Sequence, residues 1–116
     1  MTKTITINSS GMTIAEVVAV ARDNARVEIS SAALDGMRAT RRHIEALAGG
    51  ETPVYGISTG FGALANRHIA PEDRVQLQKS LVRSHAAGVG APVEREVVRA
   101  LMLLRLKTLC SGRTGA

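Results

Sequence analysis

Few side chains in this 116-residue sequence can move protons or attack a substrate near neutral pH, and their placement is uneven. The only tyrosine, Tyr55, and the only phenylalanine, Phe61, both fall in the stretch VYGISTGFG, residues 54–62, where Gly56, Gly60 and Gly62 preclude a packed helix or a long strand. A phenol ionises near pH 10 in isolation. Positive surroundings that lower that value make it a usable acid or base. A loop with three glycines can open and close over a pocket and approach a ligand closely. Tyr55 is therefore a candidate proton donor or acceptor; the competing reading is a tyrosine that anchors the turn. The glycine order G-x-x-x-G-x-G matches neither the dinucleotide fingerprint nor the P-loop, so a phosphate cradle is poorly supported.

His85 is the second candidate. It follows Leu81 and Val82 by about one turn on what reads as the apolar side of a helix, near a C-terminus whose partial negative charge favours a cation. A core histidine held by one hydrogen bond is the alternative. Ser84 and His85 do not read as a nucleophile pair, because adjacent helix residues point in different directions. His43 and His68 read as surface residues. Three scattered histidines and one cysteine lack metal-ligand spacing.

These residues need elements to hold them. Residues 4–7 alternate Thr and Ile, as a short strand does. Thr13 and Glu16 form a capping box ahead of Val17, Val18 and Ala21, predicting a helix over about 13–22. Residues 27–29 read as a second extended piece. Ser30 or Ser31 caps a helix with inward positions Ala33, Met37, Ile44 and Leu47, ended by Gly49 and Gly50. The Tyr55 stretch follows as a loop. Pro71, Glu72 and Asp73 start a helix that runs to about His85 before Gly88 and Gly90. Pro92 starts the last helix, which reaches about Ser111. That helix is apolar nearly all round, so it is expected to lie buried inside a larger body. The chain then has a partner or is a piece of something longer.

With 45% apolar and 22% charged residues the chain is globular. The formal charge of +5 is concentrated in residues 59–116, which carry nine bases against four acids. That half could face nucleic acid, an anionic substrate or an acidic partner. A single cysteine excludes an intrachain disulfide and suits a reducing compartment. The N-terminus has no apolar secretory core, and residues 97–109 are too short and too charged to span a bilayer. Cytoplasm is the expected location.

VYGISTGFG, followed by SLVRSHAAGVGAP and RALMLLRLKTLCSGRTG, resembles the N-terminal part of the histidine ammonia-lyases, within the aromatic amino acid lyase family. The resemblance covers about residues 3–116 and is strongest from Pro53 onward. It implies a mainly α fold with short N-terminal strands, a Gly-rich active-site loop and a long buried C-terminal helix. It further implies a cytoplasmic homotetramer that eliminates ammonia from histidine to give urocanate without an external cofactor. The electrophile it implies is a methylidene-imidazolone formed from an Ala-Ser-Gly triplet of the protein's own backbone. Such an electron sink is needed because the β-hydrogen is a poor acid and ammonia a poor leaving group. Tyr55 matches the family's catalytic tyrosine, Gly62 the glycine that lets the loop backbone approach the substrate, and His85 the histidine near the substrate side chain.

Two departures stand out. Ser58 occupies a loop position where the family commonly has Asn. No Ala-Ser-Gly triplet occurs, so the triplet is expected beyond Ala116, and residues 1–116 read as one incomplete N-terminal segment. Cys110, Ser111 and Gly112 look similar but end the last helix, and read as structural. A phenylalanine or tyrosine lyase, or an aminomutase, is the alternative within the family; S-H-A-A-G favours histidine. The rival of another class is a small basic helical module that binds nucleic acid. Its bases, however, are spread among Leu and Val on helices that look buried, without stacking aromatics.

Overall fold

The computed structural model describes residues 3–115. The elements run β1 (Thr4–Ile7), α1 (Ile14–Ala21), β2 (Arg26–Ile29), α2 (Ser31–Gly49), α3 (Arg74–His85) and α4 (Arg95–Leu109), with single 3-10 turns at Gly62–Leu64 and Pro71–Asp73. The chain divides into two compact units, residues 1–43 with 92–116, and residues 44–91.

The first unit is built on a β-α-β crossover. β1 and β2 pair in parallel, with Ile5 opposite Val27 and Ile7 opposite Ile29. Parallel pairing needs a long connection, which α1 supplies. Alternation in β1 turns Ile5 and Ile7 inward and leaves Thr4 and Thr6 exposed. The capping box forms as the sequence predicts: the Glu16 amide donates to Thr13 Oγ1 at 3.3 Å, and the Thr13 amide donates to Glu16 Oε2 at 2.7 Å. The Thr13 amide, and then the Thr13 hydroxyl donating to the same oxygen at 2.8 Å, hold the Glu16 carboxyl below its ordinary pKa. After α1 the chain turns through Asn24 in the left-handed region, φ 57°, a conformation that Asn tolerates better than most residues.

α1 and α4 are joined by side chains far apart in sequence. Arg99 donates from Nε and Nη2 to the Val20 carbonyl at 3.0 and 2.8 Å, satisfying an acceptor in the last turn of α1. Arg22 forks onto the Glu96 carboxylate at 2.8 and 3.3 Å. The core of this unit gathers Ile5, Ile7, Ala19, Val20, Ala25, Ala33, Leu103 and Cys110, with Met12, Val17, Val27, Ile29, Met37 and Leu106 against it. No aromatic ring takes part.

Ser30 stands just ahead of α2 and caps it, its Oγ accepting from the Ala33 amide at 3.2 Å. Two boundaries differ from expectation. The Pro71 start is a 3-10 turn that passes into α3. α4 begins three residues after Pro92, with Glu94 as its cap. The last helix was expected to lie buried only within a larger body, and within this chain only Leu103 of α4 is buried, while Val97, Leu101, Met102 and Leu104 are 49%, 67%, 66% and 48% exposed. α1 and the sheet cover one stripe of an almost uniformly apolar cylinder, and among the described residues nothing covers the rest.

Candidate active site

Tyr55, Gly62 and His85 all lie in the second unit, residues 44–91. Around Tyr55 the backbone folds on itself. The Ile57 and Ser58 amides both donate to the Val54 carbonyl at 3.0 Å, closing a tight turn over Tyr55 and Gly56. The Ile69 amide then donates to Ser58 O at 2.9 Å and the Gly60 amide to Arg67 O at 3.1 Å, flanking an antiparallel bridge between Thr59 and His68. A short return strand thus braces the tyrosine turn. Arg74 ties this loop to the end of α2: its Nε donates to Ile69 O at 3.1 Å and its Nη1 to Ala48 O at 2.9 Å.

The glycines serve different needs. Gly56 and Gly62 have φ of 74° and 56°, a region that costs other residues roughly 1–2 kcal/mol. At Gly60 the constraint is space, since a Cβ there would lie 2.6 Å from Leu64 Cβ and 3.0 Å from Leu64 O. Around Gly62 a Cβ would meet nothing within 4 Å, so its outer face is open to whatever approaches.

Tyr55 is 63% exposed, and its ring meets Phe61 edge to face, with centroids 5.9 Å apart and planes at 81°. Aromatic quadrupoles favour that arrangement by about 0.5–1.5 kcal/mol. The two rings of the chain steady each other in a loop; they do not furnish a core. Beneath them the buried groups are hydroxyls. Ser58 is fully buried and Thr59 nearly so. Ser58 Oγ accepts from the Val54 amide at 3.0 Å, and Thr59 Oγ1 accepts from the Gly56 amide at 3.4 Å while donating to Gly60 O at 3.0 Å.

His85 is the last residue of α3 and is exposed, and α3 has no buried residue; Val82 beside it is 70% exposed. The apolar side expected for this helix is therefore open to solvent. His85 Nδ1 lies 2.9 Å from the Leu81 carbonyl oxygen. A carbonyl only accepts, so this hydrogen bond requires the proton on Nδ1 and leaves Nε2 of the neutral ring as an outward acceptor. Although adjacent helix residues point in different directions, Ser84 Oγ is 3.0 Å from His85 Nδ1 and 2.9 Å from Leu81 O. The end of the helix lets both side chains fold back on one carbonyl. A nitrogen that donates its own proton to Leu81 cannot take one from Ser84, so the pair does not make a nucleophile.

Cys110, Ser111 and Gly112 close α4. The Cys110 amide donates to Leu106 O at 2.9 Å, Cys110 is fully buried, and Gly112 has φ 70°. The Gly112 carbonyl accepts from Thr40 Oγ1, and a Cβ on Gly112 would lie 3.2 Å from the Gly36 carbonyl carbon. A backbone so engaged has no room to cyclise, so these residues do not fit a methylidene-imidazolone. Nor are the bases of the second half on buried helices. Two of them, Arg74 and Arg99, are instead spent on carbonyl oxygens within the fold. Among the described residues no cluster of His, Cys, Asp or Glu could hold a metal ion, and no helix is long and apolar enough to cross a membrane.

Sequence reasoning missed the structural parts of Ser58, Thr59 and Arg74. For the hydroxyls a signal existed, since Ser and Thr in Gly-rich turns commonly bond nearby backbone amides. For Arg74 none did, because its acceptors are carbonyls that any residue carries.

A family model described as aromatic amino acid lyase matches residues 12–116. The histidine ammonia-lyase of Streptomyces coelicolor is 61% identical over 112 residues, covering 97% of this chain and 22% of that protein. Among solved structures, ergothionase from Treponema denticola superposes with a TM-score of 0.93 at 28% identity, covering 97% of this chain and 23% of the other. Tyrosine aminomutase from Streptomyces globisporus gives a TM-score of 0.89 at 30% identity, covering 97% and 21%. The chain thus spans about a fifth of the length of the relatives it matches.

Proposed function

Since the chain belongs to the aromatic amino acid lyase family, we propose that it is the N-terminal segment of a histidine ammonia-lyase, with Tyr55 as its acid/base and His85 as a substrate contact. In the net reaction the β-proton of L-histidine passes to a base, the electrons of that bond form the double bond of urocanate, and the amine leaves as ammonia. The observation that carries the substrate is the 61% identity to a histidine ammonia-lyase across 97% of the chain. Backbone likeness is indifferent here, because an ergothionase and an aminomutase share the fold equally well. His85 adds chemical support: its outward Nε2 can accept from an imidazole N–H, a group that phenylalanine lacks.

Tyr55 and His85 both stand in solvent in this chain, and proton transfer beside an electron sink needs a site that excludes water. We assign the missing walls to further sequence and to neighbouring subunits of a cytoplasmic homotetramer. The electrophile, a methylidene-imidazolone made from an Ala-Ser-Gly triplet, belongs to sequence outside residues 1–116, and no external cofactor is invoked. Gly62 then lets the loop backbone come close to the substrate. Residues 1–116 alone are silent in this reading.

The test is the full-length protein assayed against histidine, phenylalanine and tyrosine, followed by ultraviolet absorbance of the products. Histidine should be turned over with the highest kcat/KM. Tyr55→Phe should lower kcat by about 10²–10⁴-fold, the usual contribution of a positioned acid or base. Full turnover by that variant would refute the part given to the phenol.

A further inference from the structure

We propose that Ser58 and Thr59 are positioning residues for Tyr55: their buried hydroxyls take the backbone amides on the two sides of the tyrosine and so set the direction of its phenol. The inference rests on the acid/base reading of Tyr55 and adds what holds that group in place.

The geometry is specific. Ser58 Oγ takes the Val54 N–H at 3.0 Å, and Thr59 Oγ1 takes the Gly56 N–H at 3.4 Å. These amides precede and follow Tyr55, so the two hydroxyls hold the segments on either side of its Cα. With the backbone fixed, a tyrosine has only two side-chain rotations left, and Phe61 restricts the ring from its edge at 5.9 Å. The hydroxyls are themselves fixed. Ser58 is fully buried and Thr59 is 3% exposed. The Ser58 carbonyl accepts from Ile69 N–H at 2.9 Å, and Thr59 pairs with His68.

The acceptors are buried while the two hydrogen bonds are part-buried, so removing a hydroxyl leaves its amide without the partner that pins the turn. The tyrosine would then sample other directions, and a misplacement of about 1 Å at a reacting group can cost on the order of 10²-fold in rate. Ser58 stands where the resemblance implies an Asn. The position is filled by an acceptor that faces the Val54 N–H, and a hydroxyl meets that need.

The experiment uses the complete enzyme that carries this segment. Thr59→Val keeps shape and removes the hydroxyl, Ser58→Ala removes its counterpart, and Thr59→Ser restores the hydroxyl. Ser58→Ala should speed hydrogen exchange at the Val54 amide and Thr59→Val at the Gly56 amide, each by about tenfold or more. Both should lower kcat about 10–100-fold with KM changed less than about threefold, and Thr59→Ser should stay within about threefold of the parent. In a Tyr55→Phe background neither change should lower kcat further, because no hydroxyl remains to be aimed. Unchanged exchange, unchanged kcat, or an equal loss in both backgrounds would overturn the proposal. A fully active Tyr55→Phe enzyme would defeat the function given to the phenol, while exchange would still decide whether the hydroxyls hold the turn.

Discussion

At Gly60 the carbon of a single methyl group would stand 2.6 Å from Leu64 Cβ and 3.0 Å from the Leu64 carbonyl. The glycine lets residues 58–60 lie against the turn at Gly62–Leu64, and so keeps Phe61 beside Tyr55. Gly60→Ala is expected to destabilise this chain by about 1–3 kcal/mol, the usual cost of overpacking, read as a lower midpoint in urea. Gly62→Ala acts by a different route: nothing crowds its Cβ, and its φ of 56° alone sets a cost of about 1–2 kcal/mol. The types Tyr, Phe and Gly, together with the family resemblance, marked this loop as the candidate site in the sequence. Which glycine answers to space and which to backbone angle was not legible, because that depends on where Leu64 comes to rest. The same limit hid the parts of Ser58 and Thr59.

Among the elements, α1 was the most legible, since its start is encoded in four residues. Thr13→Ala removes the acceptor for the Glu16 amide and is expected to lower stability by about 1 kcal/mol, the usual loss for an N-cap. The reciprocal bond from the Thr13 amide to Glu16 holds that carboxyl below its ordinary value. A carboxyl whose folded pKa is depressed stabilises the fold above the pKa of its unfolded form, about 4.3. That contribution is lost as pH falls through the lower, folded value. Glu16→Gln should therefore flatten the acid limb of stability against pH, and an unchanged limb would remove Glu16 from this role. α4 shows the opposite case. Its helical period was plain, but an apolar period specifies only that a face wants cover, not what covers it. Arg99 and Arg22 settled its neighbour as α1, and neither partnership follows from spacing when the residues stand 74 and 79 positions apart.

For the whole molecule, the uncovered side of α4 governs behaviour in solution. Val97, Leu101 and Leu104 recur at helical spacing, with Val98 and Met102 alongside, and all are exposed. Contiguous apolar surface of this kind marks an association site. Purified residues 1–116 should show a sedimentation coefficient that rises with concentration, and Leu101→Glu combined with Met102→Lys should abolish the rise. A parent chain that stays monomeric at every concentration would contradict this. The uneven charge noted in the sequence does not translate into a free basic surface of the same size, since Arg74 and Arg99 are engaged with carbonyls.

Arg99 gripping Val20, with Leu103 and Cys110 seated among Ile5, Ile7 and Ala33, also bears on how the polypeptide acquires its shape during translation. A ribosome delivers the opening strands and first helix long before the arginine and leucine that close them. The intervening stretch, residues 44–91, is contiguous and can settle while the early piece waits. Loop-closure entropy rises only slowly with such a delay, so the wait is inexpensive in free energy. It nevertheless leaves β1, α1 and β2 unsheltered until α4 leaves the exit tunnel.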